Sequence, residues 1–227
     1  MNSSFHEHRS VGLILTFIGG VMDSYTYIRY EAFASAQTGN LILAVIQAFD
    51  RQWTSVGKKL LSTLFFFLGI LLAKYLIDYF REKGLHFWRL FLLYFEAFVF
   101  FAISLQWLEP HPSAITVIIA FTAAIQWIAF DKINGLTYTN LFTTGNLKGV
   151  ATNFYDYLRT KDDKAKQQFF HFLWVVLAFL AGVIVSVFSY NYLGRQTIIL
   201  VSILFLYLAV TQSYQVWRFH KEVYSTK

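Results

Sequence analysis

The sequence predicts an all-α fold: a polytopic membrane helix bundle of six full spans plus two broken or re-entrant half-helices, arranged as an internal two-fold repeat. Three observations carry this. Apolar runs of about 20 residues recur along the chain, each long enough or nearly so to cross a bilayer. Only 14% of residues are charged and 56% are hydrophobic, far from the soluble mix of about 25% charged, so a soluble domain could not hide the apolar surface. Finally, Thr38-Gly39-Asn40 has a second copy, Thr144-Gly145-Asn146, at an offset of 106 residues. Eight full spans are the alternative.

Residues 1–10 form a polar N-terminal tail in which His6 and His8 are too few to hold a metal firmly. Arg9 ahead of an apolar stretch imitates a signal peptide, yet no small-x-small cleavage site follows, and Gly19, Gly20 and Asp23 fit a packed first span over 11–27. Thr16, Gly20 and Ser24 make a ridge of small residues at a spacing of four, the pattern that lets helix backbones approach closely in lipid. Asp23 sits well inside this span. An acid there costs on the order of 2.5–3.5 kcal/mol on insertion scales, so it should face the bundle interior.

The second apolar element, 32–49, is interrupted by the first triplet and ends at a charged connector, 50–59. The third runs over 60–80, with Gly69 and Ala73 as a close-packing pair and with Lys74 and Asp78 one turn apart, expected to pair or to snorkel. A Phe- and Leu-rich span over 88–108 contains a second membrane acid, Glu96. Both prolines lie in the linker 110–113, which divides a first membrane repeat, 11–109, from a second, 114–216, with a basic tail at 217–227.

In the second repeat, 114–130 carries the small pair Ala120 and Ala124, and Gln126 falls opposite Gly20. The segment 135–157 is too polar to face lipid and is expected to be sheltered by protein or to line a wet cavity. Two more spans follow, 169–190 with the ridge Ala178, Gly182 and Ser186, and 197–216. The six tryptophans fall at or near the span ends, where indoles favour the headgroup region.

Whether the halves are inverted or parallel depends on whether each triplet segment returns or crosses. With Lys74 and Lys148 left out as membrane-embedded, six spans with the N-terminus inside place twelve Lys and Arg inside against five outside, and eight spans give eleven against six. Both arrangements put the termini in the cytoplasm of a cell-membrane protein. The 39 residues of 11–49 would make a continuous helix of about 58 Å, barely two crossings with no turn, which favours a full span followed by a half-helix. Thr or Asn can cap a helix start and glycine permits dihedrals that other residues avoid, so the triplets are read as breaks. A helix that begins inside the membrane aims free N–H groups and the positive end of its dipole at the protein centre, while freed carbonyls could hold a cation.

The expected ligand-binding residues are Asp23, Tyr27, Gln37, Thr38, Gly39, Asn40, Glu96, Gln126, Thr143, Thr144, Gly145 and Asn146. They point to a transporter or channel for a small solute or ion, with a non-transporting protein that binds lipid or a partner as the second reading. The chain lacks cysteine, a phosphate-binding loop, HExxH and clustered carboxylates, so no enzyme, cofactor or metal is expected. The net charge of +6 comes from connectors and tails rather than one amphipathic face, which fits a bilayer partner and no nucleic acid.

Gly19-Gly20-Val21-Met22-Asp23-Ser24-Tyr25-Thr26-Tyr27, followed by Phe33-Ala34-Ser35-Ala36-Gln37-Thr38-Gly39-Asn40, resembles the YoaK family of small bacterial membrane proteins, a domain of unknown function. In length the resemblance covers nearly the whole chain. It implies a bacterial multi-pass membrane protein and carries over no catalytic residues. The second half departs from the pattern, with Gln126 and Ala129 where the first has Gly20 and Asp23, so any site is expected to be asymmetric.

Overall fold

A computed structural model describes residues 5–85 and 87–225, so the first four residues of the N-terminal tail and the last two of the C-terminal tail lie outside it. The helices are α1 (Arg9–Tyr30), α2 (Gln37–Phe49), α3 (Trp53–Glu82), α4 (Trp88–Ser104), α5 (Pro112–Ala129), α6 (Thr144–Thr160), α7 (Asp163–Leu193) and α8 (Ile199–Ser225). A two-residue hairpin, β1 (Lys132–Ile133) with β2 (Leu136–Thr137), follows α5. The molecule is therefore an all-α membrane protein. Four helical stretches are long and apolar enough to cross a bilayer: Arg9–Tyr30, Trp53–Glu82, Pro112–Ala129 and Asp163–Phe219, the last holding α7 and most of α8. α4 is a further apolar helix of 17 residues, and α2, with 13, is shorter still.

Small residues decide which helices touch. Gly20 of α1 lies against the Phe179 carbonyl of α7, and Gly182 of α7 lies against the Phe17 carbonyl of α1. Ser186 completes the contact by donating from its hydroxyl to Val21 O at 3.3 Å. Gly69 of α3 meets α5 in the same manner, with its Cβ position 2.6 Å from Phe121 O and 2.9 Å from the Ala124 methyl. Ridge meets ridge in both pairs, as expected where lipid tails offer no hydrophobic drive and close packing must hold helices together. α4 packs mainly on α8, where the Phe100 and Phe205 rings stack at 5.6 Å.

Contacts at the helix ends fix the directions. Arg9 lies over Trp174 and Tyr25 packs on Tyr190, so α1 and α7 run parallel. Trp88 and Val216 share a groove, while Glu109, just after α4, pairs with Arg195, just before α8, so α4 and α8 run antiparallel. One end of the bundle gathers Glu109, Arg29 at 2.7 Å from it, and Lys58, whose ammonium donates to Tyr30 O at 2.9 Å. The opposite end gathers Glu7, which accepts from the N–H groups of Asn134 and Gly135 at 2.8 and 3.0 Å, and Arg89, which donates to Ala129 O at 2.7 Å. His6 docks here edge-on to Phe130. Burial, reinforced by the charges of Arg89 and Lys132, holds its imidazole down at about 3 and therefore neutral at physiological pH.

Of the two readings of Lys74 and Asp78, the pair is not formed: the exposed Asp78 faces Arg81 at 3.5 Å. α6 packs mainly on α7 and buries only Asn146, so of the two expectations for its polar groups the protein shelter is not met over this helix. Its polar groups turn inward on its own backbone, Thr152 bonding Lys148 O and Asn153 bonding Gly149 O, which removes the need for a protein cover.

Candidate functional site

Neither triplet caps its helix as the sequence suggests. α2 starts after Ala36 and α6 after Thr143, both without a side-chain cap. The glycines of the triplets are not among the positive-φ residues either. Asparagine is the working member. Asn40 Oδ1 accepts the Phe33 N–H at 2.8 Å and its Nδ2 donates to Phe33 O at 2.8 Å. Asn146 does the same to Thr139, seven residues upstream, at 3.3 and 2.8 Å. A carboxamide used this way mimics a peptide group and satisfies both polar atoms of one loop residue. Phe33 and Thr139 are themselves related by the triplet offset. The first glycine leaves room for this fold-back: a Cβ at Gly39 would press on the Phe33 ring at 3.2 Å, whereas at Gly145 the nearest atom, Thr139 Oγ1, is 3.9 Å away.

The clamped loops run back toward the middle of α1. Asp23 Oδ1 accepts the Ser35 N–H at 2.7 Å and Oδ2 accepts its hydroxyl at 2.7 Å. Asp23 lies seven residues, about 10 Å, before the end of α1, so the chain has returned that far by Ser35. From there α2 leads outward, tied to α3 by Thr63 donating to Gln37 Oε1 at 2.9 Å and by the buried Lys59 ammonium donating to Gln47 Oε1 at 2.7 Å. In the other half the main chain of Asn140 and Leu141 lies against Gly19, where a Cβ would meet Asn140 O and, at 3.0 Å, Leu141 Cα. The two loops touch where the Ser35 hydroxyl lies 3.3 Å from Leu141 O. These two positions also differ by 106 residues.

Around this junction stand Gln126, whose Nε2 donates to Leu15 O at 3.3 Å, and Asn140, whose Nδ2 donates to Phe130 O at 2.8 Å. Both side chains are 0% exposed, and their oxygens, Gln126 Oε1 and Asn140 Oδ1, lack a hydrogen-bond partner. The acid latch belongs to the first half alone, because the position matching Asp23 is Ala129.

The expected site residues are thus brought together only in part. Asp23 and Gln126 lie along the central face of α1, and Asn40 and Asn146 set the two loops, with Gln37 bracing the first. Thr38, Thr144 and Gly145 are exposed, and Thr143 and Gly39 are half-buried. Tyr27 is exposed and stacks on Phe33. Glu96 is buried in α4, beside Ala97, whose carbonyl accepts from Ser202 of α8, and both its carboxyl oxygens lack a hydrogen-bond partner. No bond connects it with the junction among the described residues. Sequence reasoning missed Ser35 and Asn140, although shifting Ser35 by the triplet offset lands on Leu141, next to Asn140.

No curated protein and no solved structure matches the chain. A family model described as a protein of unknown function, DUF1275, matches residues 11–211. That match covers most of the chain, and the chain belongs to the DUF1275 family.

Proposed function

We propose that this protein is a transporter or channel for a small solute or ion, binding its ligand where the two loops meet near the bilayer midplane. One observation carries the reading: two loops return to the centre of α1 and leave fully buried polar oxygens there without partners. Irregular backbone at membrane depth is tolerated where protein buries it or a cavity needs it, and paired breaks of this kind mark the binding sites of transporters built from repeats. In this reading the halves are inverted repeats with six spans, α2 and α6 being re-entrant half-helices. Antiparallel α4 and α8, and the gathering of Tyr30, Lys58 and Glu109 at one end, support it. In this reading the protein sits in a bacterial cell membrane with both termini cytoplasmic, an orientation that the Lys and Arg bias supports. No catalytic role, cofactor or nucleic-acid partner is assigned.

A second reading, a non-transporting protein that binds lipid, draws on an apolar groove of about 520 Å³ between α3, α4 and α8, lined by Phe80, Leu85, Trp88, Phe91, Tyr94 and Val216. It predicts a specific lipid that co-purifies and no flux.

The test is flux in proteoliposomes challenged with sodium, potassium, amino acids and sugars. Asp23→Asn keeps the acceptor for the Ser35 N–H and reverses the second bond, its Nδ2 donating to the Ser35 hydroxyl, while removing the charge, and it should lower the flux of the transported species by at least about tenfold, an effect of about 1.4 kcal/mol on the rate-limiting barrier. Unchanged flux in Asp23→Asn would remove Asp23 from the pathway. Absence of flux for every species, together with a retained lipid, would favour the second reading.

A further inference from the structure

The walls and rim of the groove between α3, α4 and α8 narrow the chemistry of its occupant. This rests on the lipid contact of the second reading and holds whether or not the protein transports. The lining is almost wholly aromatic and aliphatic, and the hydroxyls of Tyr94 and Ser213 in the wall lie 3.2 Å apart and satisfy each other. The groove is open to the side, where Phe91 is 77% exposed. An apolar chain can therefore enter from the bilayer, and the two hydroxyls ask nothing of it. From Trp88 to Tyr94 the wall follows α4 for about 9 Å.

The rim is basic and aromatic. The bordering segments, 78–89 and 213–221, carry Arg81, Lys83, Arg89, Arg218 and Lys221 against Asp78 and Glu82. Two of these bases are engaged elsewhere: Arg81 faces Asp78 at 3.5 Å, and Arg89 donates to Ala129 O. Among the described residues Lys83 and Lys221 form no ion pair. Each ammonium stands over an aromatic ring, Lys83 over Tyr79 at 6.0 Å and Lys221 over Trp217 at 5.4 Å. Lys83 adjoins Gly84 and Leu85 in the turn that forms the outer end of the groove, and Lys221 lies five residues, about 7.5 Å, past Val216 along α8. Basic and aromatic residues together mark the headgroup level of a bilayer.

An apolar slot with two unpaired cations at its outer end matches an amphiphile with a negative head. A second copy of the chain fits less well, because a two-fold contact through this face would set the same lysines against each other. The groove lies at the bundle end that also holds Arg89 and Glu7. In the proposed orientation this is the cytoplasmic leaflet, whose anionic lipids attract each Lys or Arg near the surface. We propose that the groove holds one acyl chain of an anionic phospholipid, with the phosphate drawn to Lys83 and Lys221.

The test places full-length protein in vesicles of dioleoylphosphatidylcholine and adds, at rising mole fraction, phosphatidylglycerol or phosphatidylcholine with brominated acyl chains. Bromine quenches tryptophan on contact, and Trp88, buried in the groove wall, is the reporter. Its share of the signal is the difference between the wild-type protein and Trp88→Phe. Half-quenching of that share is expected at a mole fraction at least about tenfold lower for phosphatidylglycerol than for phosphatidylcholine. Lys83→Gln combined with Lys221→Gln should remove most of this preference and leave the phosphatidylcholine curve in place. Both lysines are exposed, so this variant guards against a folding failure in Val216→Phe, which fills the groove and should weaken quenching by both lipids. Equal quenching by the two lipids, or a preference that survives loss of both lysines, would overturn the proposal and leave the groove to any acyl chain, with the second reading intact. Absence of Trp88 quenching by either lipid would remove the proposal and the lipid groove together.

Discussion

Asn40→Ala is expected to cost about 2–4 kcal/mol of stability, and Asn146→Ala nearly as much. Each truncation removes both clamp bonds: Asn146→Ala leaves the N–H and C=O of Thr139 without that partner, and Asn40→Ala those of Phe33, whose carbonyl keeps only the Ser62 hydroxyl at 3.4 Å. An orphaned buried polar group costs about 1–3 kcal/mol, so two of them set the scale. Asn40 also donates to Gln37 Oε1 at 2.9 Å, and its bond to the loop N–H is shorter than that of Asn146, which makes it the more costly of the two. Aspartate is no substitute at either position. It keeps the acceptor for the N–H but cannot donate to the carbonyl, so Asn40→Asp should recover only part of the loss. Thermal unfolding in detergent measures all three variants. Neutral behaviour in both alanine variants would mean that the clamps hold nothing.

The second large effect belongs to the helix crossing. Gly182→Leu should cost about 3 kcal/mol or more and weaken the packing of α7 on α1, with Gly20→Leu close behind. A Cβ at either position would meet main-chain atoms of the facing helix rather than the end of a flexible side chain, and backbone cannot move aside as a rotamer can. Gly57 supplies the control. It lies in α3 with nothing within 4 Å of its Cβ position, so Gly57→Ala should be neutral or stabilising by up to about 1 kcal/mol. If all three substitutions lower Tm equally, close helix approach is not what distinguishes Gly20 and Gly182.

Much of this packing is legible in the sequence, because hydropathy and small-residue spacing are properties of single helices. The ridges of α1 and α7, and of α3 and α5, meet as their spacing implies, and the insertion cost of Asp23 correctly turns it inward. The triplet is legible only as a recurrence. Capping preferences are local and favour Thr or Asn beside a helix start, whereas the contact that matters reaches seven residues back to a loop whose path no periodicity reveals. Ser35 and Asn140 are missed for the same reason: short polar residues in irregular segments acquire meaning only when another loop arrives. α6 reads as sheltered because counting polar residues ignores the carbonyls one turn away that satisfy them. Glu96 is legible as a buried acid, but the absence of a counter-charge is a property of α8, whose facing segment offers Val201, Ser202 and Phe205 rather than a base.

The central claim is that the segments carrying Thr-Gly-Asn return to the side from which they entered. A chain without cysteine allows it to be tested with one thiol at a time. Gln52→Cys, in the exposed turn between α2 and α3, and Asn134→Cys, in the exposed hairpin after α5, are labelled in oriented vesicles with a membrane-impermeant maleimide. The account predicts that Asn134→Cys labels from the cytoplasmic side, shared with the N-terminus, and that Gln52→Cys labels only from the opposite side. Labelling of Gln52→Cys from the cytoplasm and of Asn134→Cys from outside would mean eight full spans, and would contradict the meeting of two re-entrant loops at the centre of α1.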